Sequence, residues 1–191
     1  MVKFNSHILL FIAASAVLSS CNKDKVSPLT PEEGTFNKRD VLYKGVSYES
    51  PANPVDETSF DPIVSVNSNS VAIIPFGYVS SGDSVVNFNS PFQWWGEKDE
   101  GVIELINFAH SRNLKVLVKP QVWMLNGEFT GTYNMNYESQ WQSLENSYRD
   151  YILHFADIAD SMGCEMVSIG TEFKNFVSTR PVFWENLIDS T

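Results

Sequence analysis

Residues with the means to do chemistry gather where apolar runs give way to polar ones. Glu172 directly follows the apolar-to-polar step Ile169-Gly170-Thr171. Lys119, Gln121 and Trp123 alternate within and just after the run Lys115 to Val122, and Gln93, Trp94 and Trp95 follow a third apolar run. Tyr48 and Glu49 close the first one. An indole plane accepts the apolar C–H face of a pyranose ring, while amide, ammonium and carboxylate groups bond its hydroxyls. Three Trp beside such groups therefore suggest a sugar ligand, with Trp94, Trp95 and Trp123 as platforms. Glu172 either does acid–base chemistry or caps and pairs locally with Lys174 or Arg180. Glycoside hydrolysis needs a second carboxylate about 5–5.5 Å away for retention, or farther for inversion. Glu49 is one possibility, although the first strand is an unpromising place for it.

These residues share a rim only if the elements before them are parallel strands. Val41 to Tyr48 is strand-like, Val71 to Val79 opens with a run suited to a strand covered on both faces, and Lys115 to Val122 and Met166 to Gly170 supply two more. Pro75 and Gly77 fall near the end of the second, where backbone irregularity is tolerated. Between the strands the spacing predicts helices. The signal over Asp61 to Val66 is short. Asp99 to Arg112 carries Val102, Ile103, Ile106 and Ala109 at helical spacing, with Glu97, Asp99 and Glu100 at its positive end and Asn113 as a left-handed cap. A long helix opens at Ser139, with Gln142 completing a capping box, and presents Trp141, Leu144, Tyr148, Ile152, Phe155, Ala159 and Met162 on one face until Gly163. Pro181 to Ile188 starts another helix. Trp141 and Trp184 are read as core.

Strand–helix alternation implies a parallel sheet. A (β/α)8 barrel takes about 250 residues, and about 150 follow residue 40 in this 191-residue chain. The expectation is an α/β fold of the TIM-barrel type, with the first four βα units present as a truncated N-terminal half. The competing architecture is a small doubly wound sheet. Both bind ligands at the C-terminal strand ends.

Residues 1–20 read as a signal peptide: Lys3 and His7 precede the apolar run Ile8 to Leu18, too short to span a bilayer. Leu18-Ser19-Ser20-Cys21 resembles a bacterial lipobox, which makes Cys21 the lipidation site and 21–39 a flexible tether, with the domain over 40–191. The expected location is the cell envelope, on the periplasmic side or the cell surface. Cys164 then has no intrachain partner and is read as a small core residue. The net charge of −10, from 13 Lys+Arg and 23 Asp+Glu, argues against nucleic acid as a partner. His7, His110 and His154 have no ligand spacing, so no metal is expected. No phosphate loop or nucleophile elbow is present either, and no cofactor is expected.

Phe92 to Phe176 resembles glycoside hydrolase family 113, mannanase-like barrel enzymes of clan A. The likeness lies in Trp95-Gly96, the run KVLVKPQVW from Lys115 to Trp123, the long helix from Trp141, and Ser168-Ile169-Gly170-Thr171-Glu172, in the family's order. The resemblance implies a retaining glycosidase of a β-linked polysaccharide such as β-mannan. It places the acid/base on Glu172, after the fourth strand. Thr171 stands where most clan A members carry an Asn that contacts the sugar 2-hydroxyl. The family's nucleophile comes from the seventh strand, so this chain by itself is expected to be inactive. The alternative is a lipoprotein that binds glycans without cleaving them.

Overall fold

The computed structural model describes residues 42–80 and 82–191. Cys21, the 1–20 segment, the 21–39 tether and Val41 lie outside the described residues. Tyr43–Thr191 make one structural unit.

The described strands are β1 (Gly45–Tyr48), β2 (Ser70–Ile73), β3 (Phe76–Val79), β4 (Lys115–Val118), β5 (Gln121–Met124) and β6 (Met166–Val167). They pair as a parallel sheet in the order β1-β2-β4-β6 and a parallel pair β3-β5. The four expected strand positions are present, but the second and third are each interrupted. Ile73 lies opposite Val118 before the break and Phe76 opposite Gln121 after it, so the register does not slip and Pro75 faces Pro120. Neither proline has an N–H for the ladder, so both strands open together. The Lys119 N–H donates to the Ile73 carbonyl at 2.8 Å and the Gln121 N–H to the Pro75 carbonyl at 3.0 Å. Tyr151, fully buried, sets its hydroxyl 2.9 Å from the Pro75 carbonyl and 3.0 Å from that of Gln121.

Side chains alternate along the third position. Val116, Val118, Val122 and Met124 are buried. Leu117, Lys119 and Gln121 are half-buried and Trp123 is exposed, as the period of two requires for one face that is less covered than the other. Ala72, Phe76 and Tyr78 share that second face by register.

The helices are α1 (Asp61–Ser65), α2 (Asp99–Ser111), α3 (Glu138–Ser161), α4 (Lys174–Thr179) and α5 (Pro181–Ile188). Asn113 ends α2 at φ 57°, the left-handed cap expected of it. The start of α3 differs from the expected Ser139/Gln142 box. The Gln140 side-chain oxygen accepts from the Asn136 and Tyr137 N–H groups at 3.2 Å each, so the helix opens a residue earlier. Its apolar face is as the spacing predicts, with Trp141, Leu144, Tyr148, Ile152, Phe155 and Ala159 buried and Met162 half-buried. Burying each large apolar side chain is worth about 1.5–3 kcal/mol, so this face anchors α3 to the core. The short α4, absent from the sequence reading, is held by Phe176, fully buried among Trp141, Tyr148 and Phe183.

Candidate active site

Glu172 stands just past β6, on a chain fixed from both sides. The Tyr148 hydroxyl donates to the Ile169 carbonyl at 2.9 Å. Trp184 packs against Gly170, where a Cβ would come within 2.7–2.8 Å of the indole carbons, so only glycine fits. Phe173, on the other side of Glu172, is buried against Tyr148 and Phe176. Glu172 itself is exposed and has φ 59°, a left-handed backbone that side-chain-bearing residues adopt rarely and at a cost. Gly131 sits against its carbonyl, with a Cβ position 3.0 Å away, and the Asn175 amide ties this loop to the Thr132 carbonyl at 3.0 Å. Glu172 lines a cavity of about 230 Å³ with Gln121, Trp123, Glu128 and Phe129. Trp123 is 54% exposed there, with its indole free to stack.

A second cavity, of about 680 Å³, lies over β3 and the chain that follows it. Trp94, 50% exposed, and Phe92 supply apolar surface. Tyr78, Asn87, Gln93 and Glu97 supply polar groups. Gln93 is held at both ends: its Nε2 donates to the Phe76 carbonyl at 2.7 Å and its Oε1 accepts from the Ser90 N–H at 2.8 Å. Glu97, expected at the positive end of α2, is also a buried hydrogen-bond acceptor. It is 2% exposed; its Oε1 accepts from the Tyr78 hydroxyl at 2.8 Å and its Oε2 from the Trp94 N–H at 3.2 Å. Burial, then the hydrogen bond to Glu97, push the Tyr78 pKa far up, so the phenol stays neutral. The sequence signal for Glu97 was its place directly after Trp94-Trp95-Gly96.

The sequence-derived residues thus divide. Glu172, Gln121 and Trp123 meet at one cavity and Trp94 lines the other. Trp95 is no platform: it is 8% exposed and part of the core, in a turn held by the Trp95 N–H on the Ala52 carbonyl at 3.2 Å and the Gly96 N–H on the Pro51 carbonyl at 2.9 Å. Lys119 lies on the same strand face as Gln121, and Thr171 adjoins Glu172, but neither lines these two cavities. Glu49, exposed after β1, lines neither. Trp141 and Trp184 are core, as read. Tyr78 and Trp123 are opposite partners in the β3–β5 register, so the two cavities adjoin on one strand-end face. Among the described residues, no three His, Cys, Asp or Glu side chains cluster to hold a metal ion.

The arrangement places an exposed carboxylate beside an indole and an amide, with a second indole and a phenol next door. That is equipment for gripping a ring-bearing polyol and moving a proton at one edge of it. Solved structures share the fold. The family 113 β-mannanase AaManA from Alicyclobacillus acidocaldarius, in complex with ManMIm, superposes with a TM-score of 0.70 at 23% identity, over 79% of this chain and 51% of that one. Two structures of a family 113 β-1,4-mannanase, one of them a complex, give TM-scores of 0.65 and 0.63 at 24% identity, each over 78% of this chain and 51% of the other. The chain spans about half the length of these structures and shares their α/β barrel architecture over that span. No curated protein sequence matches it. The sequence profile of glycoside hydrolase family 113 matches residues 48–191, well over half of the chain, and the chain therefore belongs to glycoside hydrolase family 113.

Proposed function

We propose that this chain forms part of a retaining glycosidase that cleaves a β-linked polysaccharide of the β-mannan type. The observation that carries the reading is Glu172: an exposed carboxylate on a clamped strand end, sharing a cavity with Gln121 and Trp123. The solved relatives of this fold include β-mannanases, which supports mannan as the substrate class. Glu172 acts as general acid, protonating the leaving glycosidic oxygen, and then as general base on the water that releases the sugar. Trp123 and Trp94 stack sugar rings, Gln121 and Lys119 bond hydroxyls, and Thr171 sits beside the reacting ring. The covalent step needs a second carboxylate about 5–5.5 Å from the first; no residue of this chain is given that role. We further propose that Cys21 carries lipid and tethers the protein to a bacterial envelope membrane.

In the full-length protein, Glu172→Gln should lower turnover on β-1,4-mannan by about 10²–10⁴-fold, the usual worth of acid–base help. An aryl mannoside with a good leaving group needs less protonation and should lose less in the first step. Unchanged turnover on mannan would make Glu172 a structural carboxylate. A parent protein that binds mannan without cleaving it would be a glycan-binding lipoprotein.

A further inference from the structure

We infer that Trp94, Tyr78 and Glu97 build a second sugar-ring subsite, next to the Glu172 cavity, in which the Tyr78 oxygen accepts a hydrogen bond from a sugar hydroxyl. The inference rests on the glycosidase reading and adds to it a site that the position of Glu172 does not supply.

Glu97 starts the reasoning. A carboxylate is rarely buried unless its oxygens are bonded. Glu97 is 2% exposed and each of its oxygens has one partner, the Tyr78 hydroxyl for Oε1 and the Trp94 N–H for Oε2. The second bond fixes the turn that holds Trp94 half out of the surface. The first uses the only proton of the Tyr78 hydroxyl. What Tyr78 still presents is an oxygen lone pair, made a better acceptor by the carboxylate behind it. Such a group selects a hydroxyl or amine donor. With an indole face alongside, the ligand that has both an apolar face and outward O–H groups is a pyranose ring.

The space and its place agree. The cavity of about 680 Å³ falls within the usual range of about 300–1,000 Å³ for small-ligand sites. Tyr78 is the register partner of Trp123 on the neighbouring parallel strand, roughly 4.8 Å away across the sheet, and Trp123 lines the Glu172 cavity. A glycan bound at Glu172 therefore extends past Trp123 onto Tyr78 and Trp94.

The experiment is calorimetric titration of the full-length protein carrying Glu172→Gln, which slows turnover, with mannobiose and mannohexaose, the sugars being checked for cleavage after each run. Tyr78→Phe in that background should weaken mannohexaose binding by about two- to tenfold, the range for one hydrogen bond, and Trp94→Ala by at least as much. Mannobiose, too short to fill both cavities, should lose much less, so the gap in affinity between the two sugars should shrink. Trp94 is half-exposed, so Trp94→Ala decides the matter even if Tyr78→Phe does not fold. Parental mannohexaose affinity in both variants, or equal losses for the two sugars, would overturn the subsite and leave the glycosidase reading intact. A Glu172→Gln protein that binds neither sugar would overturn the glycosidase reading itself.

Discussion

Replacing Tyr151 with Phe tests whether the paired strand breaks are held open by design. The ring of Tyr151 is fully buried, and its hydroxyl lies 2.9 Å from the Pro75 carbonyl and 3.0 Å from the Gln121 carbonyl. Tyr151→Phe keeps the ring and its packing on Tyr148, Phe88 and Phe155, so the cavity penalty of a truncation, about 3–5 kcal/mol, does not apply. What is lost is the hydrogen bonding of one buried hydroxyl. The Pro75 carbonyl keeps the Gln121 N–H, so the loss is that of a single hydrogen bond, about 0.5–1.5 kcal/mol. For a unit of this size each kcal/mol lowers the melting temperature by about 2–4 °C, so the midpoint should fall by about 1–6 °C. The local effect should exceed the global one. Gln121 stands immediately after the break and Trp123 two residues on, both lining the Glu172 cavity. A displacement near 1 Å at a reacting site can cost about 10²-fold in rate. Thermal melting followed by circular dichroism, with kcat and KM on β-1,4-mannan, checks both parts in the full-length protein. Tyr148→Phe is the control: it loses a single bond, to the Ile169 carbonyl at 2.9 Å, and should disturb the Glu172 strand end rather than Gln121. A Tyr151→Phe protein that melts within a degree of the parent, with unchanged kcat, would show that the carbonyls find other donors and that the clamp has no role.

Burial, and then Glu165, push the Cys164 thiol up to about 11 from an ordinary 9.0, so labelling by a thiol reagent at pH 8 should be slower in the folded protein than in urea. Because the folded state holds that proton more tightly, its contribution to stability is full below about pH 9 and is lost as the pH rises through about 11; urea midpoints between pH 8 and 11 read it out. Cys21→Ala should abolish labelling by a fatty-acid probe and release the protein from membranes, and equal labelling would exclude the lipobox reading. Expressed alone, residues 40–191 should associate or aggregate in light scattering, since among the described residues β1 and β6 are each paired on one side only and Leu117 and Met166 on the inner strand face are half-buried; a monodisperse monomer with a sharp thermal transition would favour a self-sufficient domain.

What the sequence could reveal depended on whether a residue's role was decided locally. The face of α3 is set by the spacing of its own apolar residues, and its burial agrees along six turns. Glu172 was legible because a carboxylate directly after an apolar strand is conspicuous in one dimension, although its left-handed backbone was not. The breaks in the second and third strand positions were only half legible. Pro75 and Pro120 are visible, but their facing each other follows from a register that only pairing fixes, and their support comes from Tyr151, on a helix far along the chain. Trp94 and Trp95 make the same point more sharply. They are chemically identical neighbours, and no property of either distinguishes the exposed ring from the buried one. They differ in the contacts of their turn, with Gly96 close against Pro51 and the Trp94 N–H bonded to Glu97. Asp99 and Glu100 follow Glu97, and a run of acids at a helix start favours the helix dipole. Glu97 became a buried partner only because Tyr78, 19 residues earlier, points its hydroxyl at the same turn. Strand ends could be read as a rim from periodicity alone. Which of the rim's side chains stay exposed is fixed by contacts between segments, and there the one-dimensional pattern carries no signal.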